Sequence, residues 1–77
     1  MDVSISLDQV GRGCSARVHS VNGEEAMRRR LMELGFTPES PVIPIYRAAG
    51  GDPTAYWVRG TVIALRADDA ARIAVVI

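Results

Sequence analysis

The sequence predicts a mainly β fold: a small, partly open barrel clamped around one short helix. Two observations carry this reading. About five short segments place apolar residues at every second position, the period of a half-buried strand, while only the stretch from Glu24 to Leu34 repeats with the helical period. With 77 residues, 1–77 is expected to form one domain. A chain this short buries only about 60 % of the surface its unfolded form exposes, too little for two cores.

Val3, Ile5 and Leu7 alternate with Ser4 and Ser6 as a first strand, and Gly11-Arg12-Gly13 then turns the chain. The spacing of these glycines is too incomplete for a phosphate-cradling loop. From Cys14 to Val21 the period is again two, with Cys14, Ala16 and Val18 expected inside and Arg17 and His19 outside. Beyond the helix, Thr37-Pro38-Glu39-Ser40-Pro41 is a turn by composition. Val42 to Arg47 reads as a strand interrupted by Pro44, which has no N–H to give a ladder and so belongs at an edge or a bulge. Ala48 to Pro53 is a flexible connection. Tyr56 and Val58 then alternate with Trp57 and Arg59, Arg59-Gly60-Thr61 turns, and Val62 to Arg66 returns with Ile63 and Leu65 inward, which makes a hairpin. Its outer face carries Trp57 and Arg59. Asp68 to Ala71 is expected to form one helical turn capped by Asp68, and Ala74 to Ile77 a last strand too apolar to stay unpaired. Short strands, a hairpin and one helix in this length suggest an SH3-like barrel, the way so short a β chain covers its edges and still makes a core.

The helix has local signals at both ends. Asn22 is placed to cap it, with Glu25 reaching back, and Gly35 is placed to take the left-handed conformation just beyond Leu34 so that Phe36 folds back on Leu31. Met27, Leu31 and Leu34 fall at i, i+4 and i+7, one stripe facing the core. Glu25, Arg29 and Met32 turn to the opposite side, with Arg28 and Glu33 on its shoulders. Met and Arg are enriched at interface cores. Arg28, Arg29 and Met32 are therefore the first candidates for a protein contact, and Trp57 and Arg59 the second.

Other chemistries find less support. Nine Arg balance nine Asp plus Glu, a formal net charge of zero, so no long-range field steers the chain to nucleic acid or anionic membrane. Stacking positions for bases are scarce. The single Cys14 excludes an intrachain disulfide. Together with an N-terminus lacking the basic and apolar runs of a signal peptide, and no stretch near the roughly 20 residues that span a bilayer, this leads to an expectation of cytoplasmic residence. No catalytic residue is assigned: His19 and Cys14 lie on opposite faces of one strand, and the carboxylates are scattered, so the chain is not expected to be an enzyme. No metal site is assigned either; His19 is the weak candidate, with Asp52 and Glu24-Glu25 as further donors that lack ligand spacing.

Arg30-Leu31-Met32-Glu33-Leu34-Gly35-Phe36-Thr37-Pro38, then Gly51-Asp52-Pro53, Val58-Arg59-Gly60, Leu65-Arg66 and Ala70-Ala71-Arg72-Ile73, resemble in order and spacing the FeoA proteins of bacterial ferrous iron uptake. Leu7, Gly13, Ala16, Val18 and Val21 fit too. The resemblance implies a cytoplasmic SH3-like barrel that associates with FeoB, the membrane iron transporter with a nucleotide-hydrolysing domain, and modulates its activity or assembly without cofactors of its own. The alternative it implies is a barrel that itself binds a transition metal ion such as Fe(II), as in the C-terminal domain of iron-dependent repressors. Where the family commonly has Gly after the turn proline this chain has Glu39, and Pro41 and Pro44 stiffen the next strand. A positive φ at Glu39 is expected to be strained.

Overall fold

The computed structural model describes residues 4–77; Val3 of the first alternating segment lies outside them. Six strands, β1 (Ser4–Ser6), β2 (Ala16–Val21), β3 (Pro41–Arg47), β4 (Thr54–Val58), β5 (Thr61–Leu65) and β6 (Ile73–Val76), form one sheet. Helix α1 (Glu25–Glu33) joins β2 to β3, and the single turn α2 (Ala67–Ala70) joins β5 to β6. The order across the sheet is β1-β6-β2-β3-β4-β5, every neighbouring pair antiparallel. The fold class is as expected, and the order, which alternation does not encode, places the last strand between the first two.

Alternation builds the core. Val18, Val42, Tyr56, Val58, Leu65, Ile73 and Val75 point inward from five strands and meet Leu7, Leu31, Phe36 and Ala70. Phe36 and Tyr56 pack edge to face, centroids 6.5 Å apart at 86°, a geometry that sets a ring's positive edge on the other's negative face. Burial pushes the Tyr56 phenol up, against the opposite pull of a hydrogen bond with Thr54 and of the Arg47 charge.

Pro44 sits at a bulge. The β3–β4 register shifts between Pro44 and Tyr46, leaving Ile45 extra and exposed, while the Pro44 carbonyl accepts the Gly13 N–H at 2.7 Å. Cys14 corrects the sequence reading: it is exposed, not inside, because the Cys14 N–H closes a turn onto the Gly11 carbonyl at 3.0 Å and pairing starts only at Ala16. Both helix starts differ as well. Glu24, not Asn22, is the N-cap of α1, since the Asn22 N–H is held by the Arg72 carbonyl at 2.7 Å. At α2 the cap position is Arg66, and the carboxylate at that terminus comes from Asp52, whose Oδ1 accepts the Ala67 N–H at 3.0 Å.

The end of α1 closes as the sequence indicates. Gly35, at φ +119°, donates to the Met32 carbonyl at 3.0 Å and Phe36 to the Leu31 carbonyl at 3.2 Å, the paired bonds of a Schellman motif. Leu34, expected on the inner stripe, is instead 39 % exposed. It is the last residue before the chain reverses, and Phe36 fills the core place its side chain would otherwise take.

Glu39 has φ +73°, a left-handed conformation costly for a residue with a Cβ. Its N–H bonds to the Val18 carbonyl at 2.8 Å, a contact glycine keeps. Glu39→Gly is therefore expected to stabilise by roughly 0.5–1 kcal/mol, the relieved strain exceeding the added freedom of the unfolded chain. The check is a higher urea midpoint at unchanged slope; a lower midpoint would show that Glu39 contributes more than strain.

Candidate functional site

Helix α1 presents two unlike faces. Leu31 is fully buried and Met27 half-buried on the side toward the sheet. On the other side Glu25, Arg28, Arg29, Met32 and Glu33 rim a shallow open depression, the five residues that a 100° step per residue sets away from the inner stripe. Met32, the one apolar residue of the five, is 39 % exposed. The closure at Gly35 and the burial of Phe36 tie the end of α1 to the core beneath it.

The three consecutive arginines are not equivalent. Arg29 Nη2 meets Glu25 Oε1 at 3.3 Å, a solvent-exposed i,i+4 pair worth a few tenths of a kcal/mol. Arg30 Nη2 reaches Asp69 Oδ2 at 3.3 Å and ties α1 to α2. Arg28 has no side-chain hydrogen bond or ion pair among the described residues. Among these residues Arg28 is thus unpaired beside Met32 and Arg29 is held there only by a solvent-exposed pair, and Arg is the cation best suited to recognise carboxylates through its planar fork.

The second pair of candidates separates. Trp57, 38 % exposed, lies on the outer face of the sheet, in one row with Ile43 on β3 and Val62 on β5. Arg59, at φ +50° in the hairpin turn, leans away from it toward the end of α1. Its Nη1 donates to Thr37 Oγ1 at 3.3 Å and its stem covers Gly35. Arg59 therefore belongs spatially with the helix end. Asp52, Asp69 and Arg30, which pin α2 in place, carried no local signal, since each acts across at least 15 residues of chain.

His19 lies where the β2–β6 register shifts, in a small crevice with Arg17, Val18, Glu39 and Val76. That crevice offers two donors and a guanidinium. Among the described residues no three of His, Cys, Asp and Glu converge, so this donor set does not fit a resident metal ion. Asp52 is committed to α2. No described helix is long and apolar enough to cross a membrane.

A search of curated proteins found no match. The family model for the FeoA domain, however, matches residues 5–77. The chain belongs to the FeoA family. Among solved structures, a FeoA protein from Chlorobium tepidum is 34 % identical with a TM-score of 0.87, covering 95 % of this chain and 70 % of that one. A FeoA-like protein from Clostridium acetobutylicum is 29 % identical with a TM-score of 0.88, covering 97 % and 87 %. FeoA from Stenotrophomonas maltophilia, 35 % identical with a TM-score of 0.81 over 92 % and 88 %, is described as a prokaryotic SH3-domain protein complexed with zinc and as a candidate activating factor for ferrous iron transport. FeoA proteins are thus SH3-like proteins associated with ferrous iron transport. A manganese-dependent transcriptional repressor, 17 % identical with a TM-score of 0.86, shares the fold alone.

Proposed function

We propose that this FeoA-family chain is a non-enzymatic cytoplasmic accessory protein of ferrous iron uptake. It docks on a FeoB-type transporter through the outer face of α1, with Arg28, Arg29 and Met32 in the contact, and modulates the transporter's activity or assembly. The observation that supports this most is Met32, a flexible apolar side chain exposed beside Arg28, unpaired among the described residues, and the solvent-exposed Arg29–Glu25 pair, on a helix whose other face is anchored in the core. Such a patch suits a partner surface carrying carboxylates around an apolar pocket. Arg59, at the same end of α1, extends the basic rim.

Arg29→Glu is expected to abolish co-purification with the transporter and iron uptake, because reversing a charge at a contact sets like charges together across it. Thermal unfolding should barely move, as only the solvated pair with Glu25 is lost, about 0.5 kcal/mol at most. Wild-type uptake by this variant would show that the helix face is not the interface.

A further inference from the structure

We infer that the free edge of β5 is a second binding site, which takes an extended segment of a partner protein as an added strand: apolar at alternate positions and acidic just beyond its ends. Its strand lies apart from the α1 face, sharing only Arg59 at the hairpin turn, and it does not rest on the function proposed for that face.

β5 ends the sheet on one side. Its hairpin with β4 has Arg59 and Gly60 as the two turn residues, so Val58 and Thr61 form the closing pair. In an antiparallel ladder hydrogen-bonded pairs alternate with open ones. Thr61, Ile63 and Leu65 therefore direct their N–H and C=O groups to β4, and Val62 and Ala64 direct theirs away from it. Among the described residues no backbone partner meets Val62 or Ala64 from that side.

Proteins usually block such an edge with a charge, a proline, a bulge or a very short strand. The opposite edge, β1, is only three residues long. β5 uses none of these devices: Thr61-Val62-Ile63-Ala64-Leu65 is uncharged, lacks proline and pairs with β4 in unbroken register. Ile63, on the inner face, is only half-buried, and Val62, on the outer face beside Trp57, is 56 % exposed. An added strand covers both, its inward side chains over Ile63 and its outward ones against Val62 and Trp57.

Charge selects the occupant. Exposed Arg59 and Arg66 bracket β5, one just before Gly60 and one just after Leu65; Arg59 leans toward Thr37 and gives it one guanidinium N–H, its other N–H groups having no partner among the described residues. Asp52, near the Arg66 end, is engaged by the Ala67 N–H. If a second copy added its own β5 antiparallel, Arg66 of one copy would fall beside Arg59 of the other, which disfavours self-pairing. A segment with carboxylates beyond its apolar centre places them against the two guanidinium groups instead.

The test uses the whole chain, labelled for amide NMR, and three synthetic peptides: acetyl-Glu-Asp-Thr-Val-Thr-Val-Thr-Asp-Glu-amide, the same peptide with lysine for each acid, and the acidic peptide with proline as its central residue. The acidic peptide is expected to shift the Val62 and Ala64 amides and slow their exchange about tenfold, with the lysine and proline peptides at least about tenfold weaker. Ala64→Pro should lose binding while keeping its circular dichroism, because the N–H it removes is not part of the β4 ladder. Val62→Lys, a milder edge block, should weaken it too. Arg29→Glu should bind the peptide unchanged, which separates this site from the α1 face. The inference is overturned if neither amide responds, if the lysine peptide binds as well, or if both amides become protected with rising protein concentration alone, which would make a second copy the occupant.

Discussion

Truncating Phe36 to alanine is expected to remove a large part of the unfolding free energy of this chain. Phe36 is fully buried, meets the Tyr56 ring edge to face, and supplies the N–H that closes α1 onto the Leu31 carbonyl. Emptying such a site costs about 3–5 kcal/mol in lost transfer energy and residual cavity. Domains carry roughly 0.05–0.15 kcal/mol of stability per residue, so a chain of 77 residues has little to spare. Chemical unfolding followed by circular dichroism should show a midpoint close to zero denaturant. A loss below about 1 kcal/mol would mean that the core closes without Phe36.

Gly35→Ala is expected to be the next most damaging change, at about 1–3 kcal/mol. Gly35 adopts φ +119°, where an L side chain is strained whatever the space around it. The new Cβ would also lie 3.4 Å from Arg59 Cδ and 3.7 Å from Val58 Cγ1, pressing on the stem whose guanidinium bonds Thr37. Arg59→Ala relieves the crowding but not the backbone strain. The double variant, measured by the same unfolding experiment, should therefore lose less than the sum of the two single variants. Strict additivity would assign the whole effect to the backbone.

The elements most legible in the sequence were those specified by neighbours. The close of α1 needs only Leu31, Met32, Gly35 and Phe36, and the β4–β5 turn only Arg59 and Gly60, so periodicity and turn chemistry sufficed. The same 100° step placed Met32 among Arg28, Arg29, Glu25 and Glu33. Illegible were contacts made across the fold. Asn22 and Asp68 are sound caps by local rules, yet the Arg72 carbonyl holds Asn22 and Asp52 occupies the terminus of α2. Cys14 and Leu34 depart from the period of their elements because each lies where the chain is turning, before β2 begins at Ala16 and after α1 ends at Glu33. Trp57 and Arg59 share a hairpin but face different neighbours, a separation that only the packing of Arg59 over Gly35 decides.

The position of β6 constrains how the protein comes into being. Ile73–Val76 pairs with β1 on one side and β2 on the other, so it is the keystone between the first two strands of the sheet. Because synthesis runs from β1 toward β6, the facing edges of β1 and β2 wait bare until residue 76 has emerged. The hairpin of β4 and β5 can form on its own schedule, but the sheet closes only then, through contacts spanning nearly the whole chain, and such non-local closure sets the pace of folding. The sheet is therefore expected to close late, after the β4–β5 hairpin is in place.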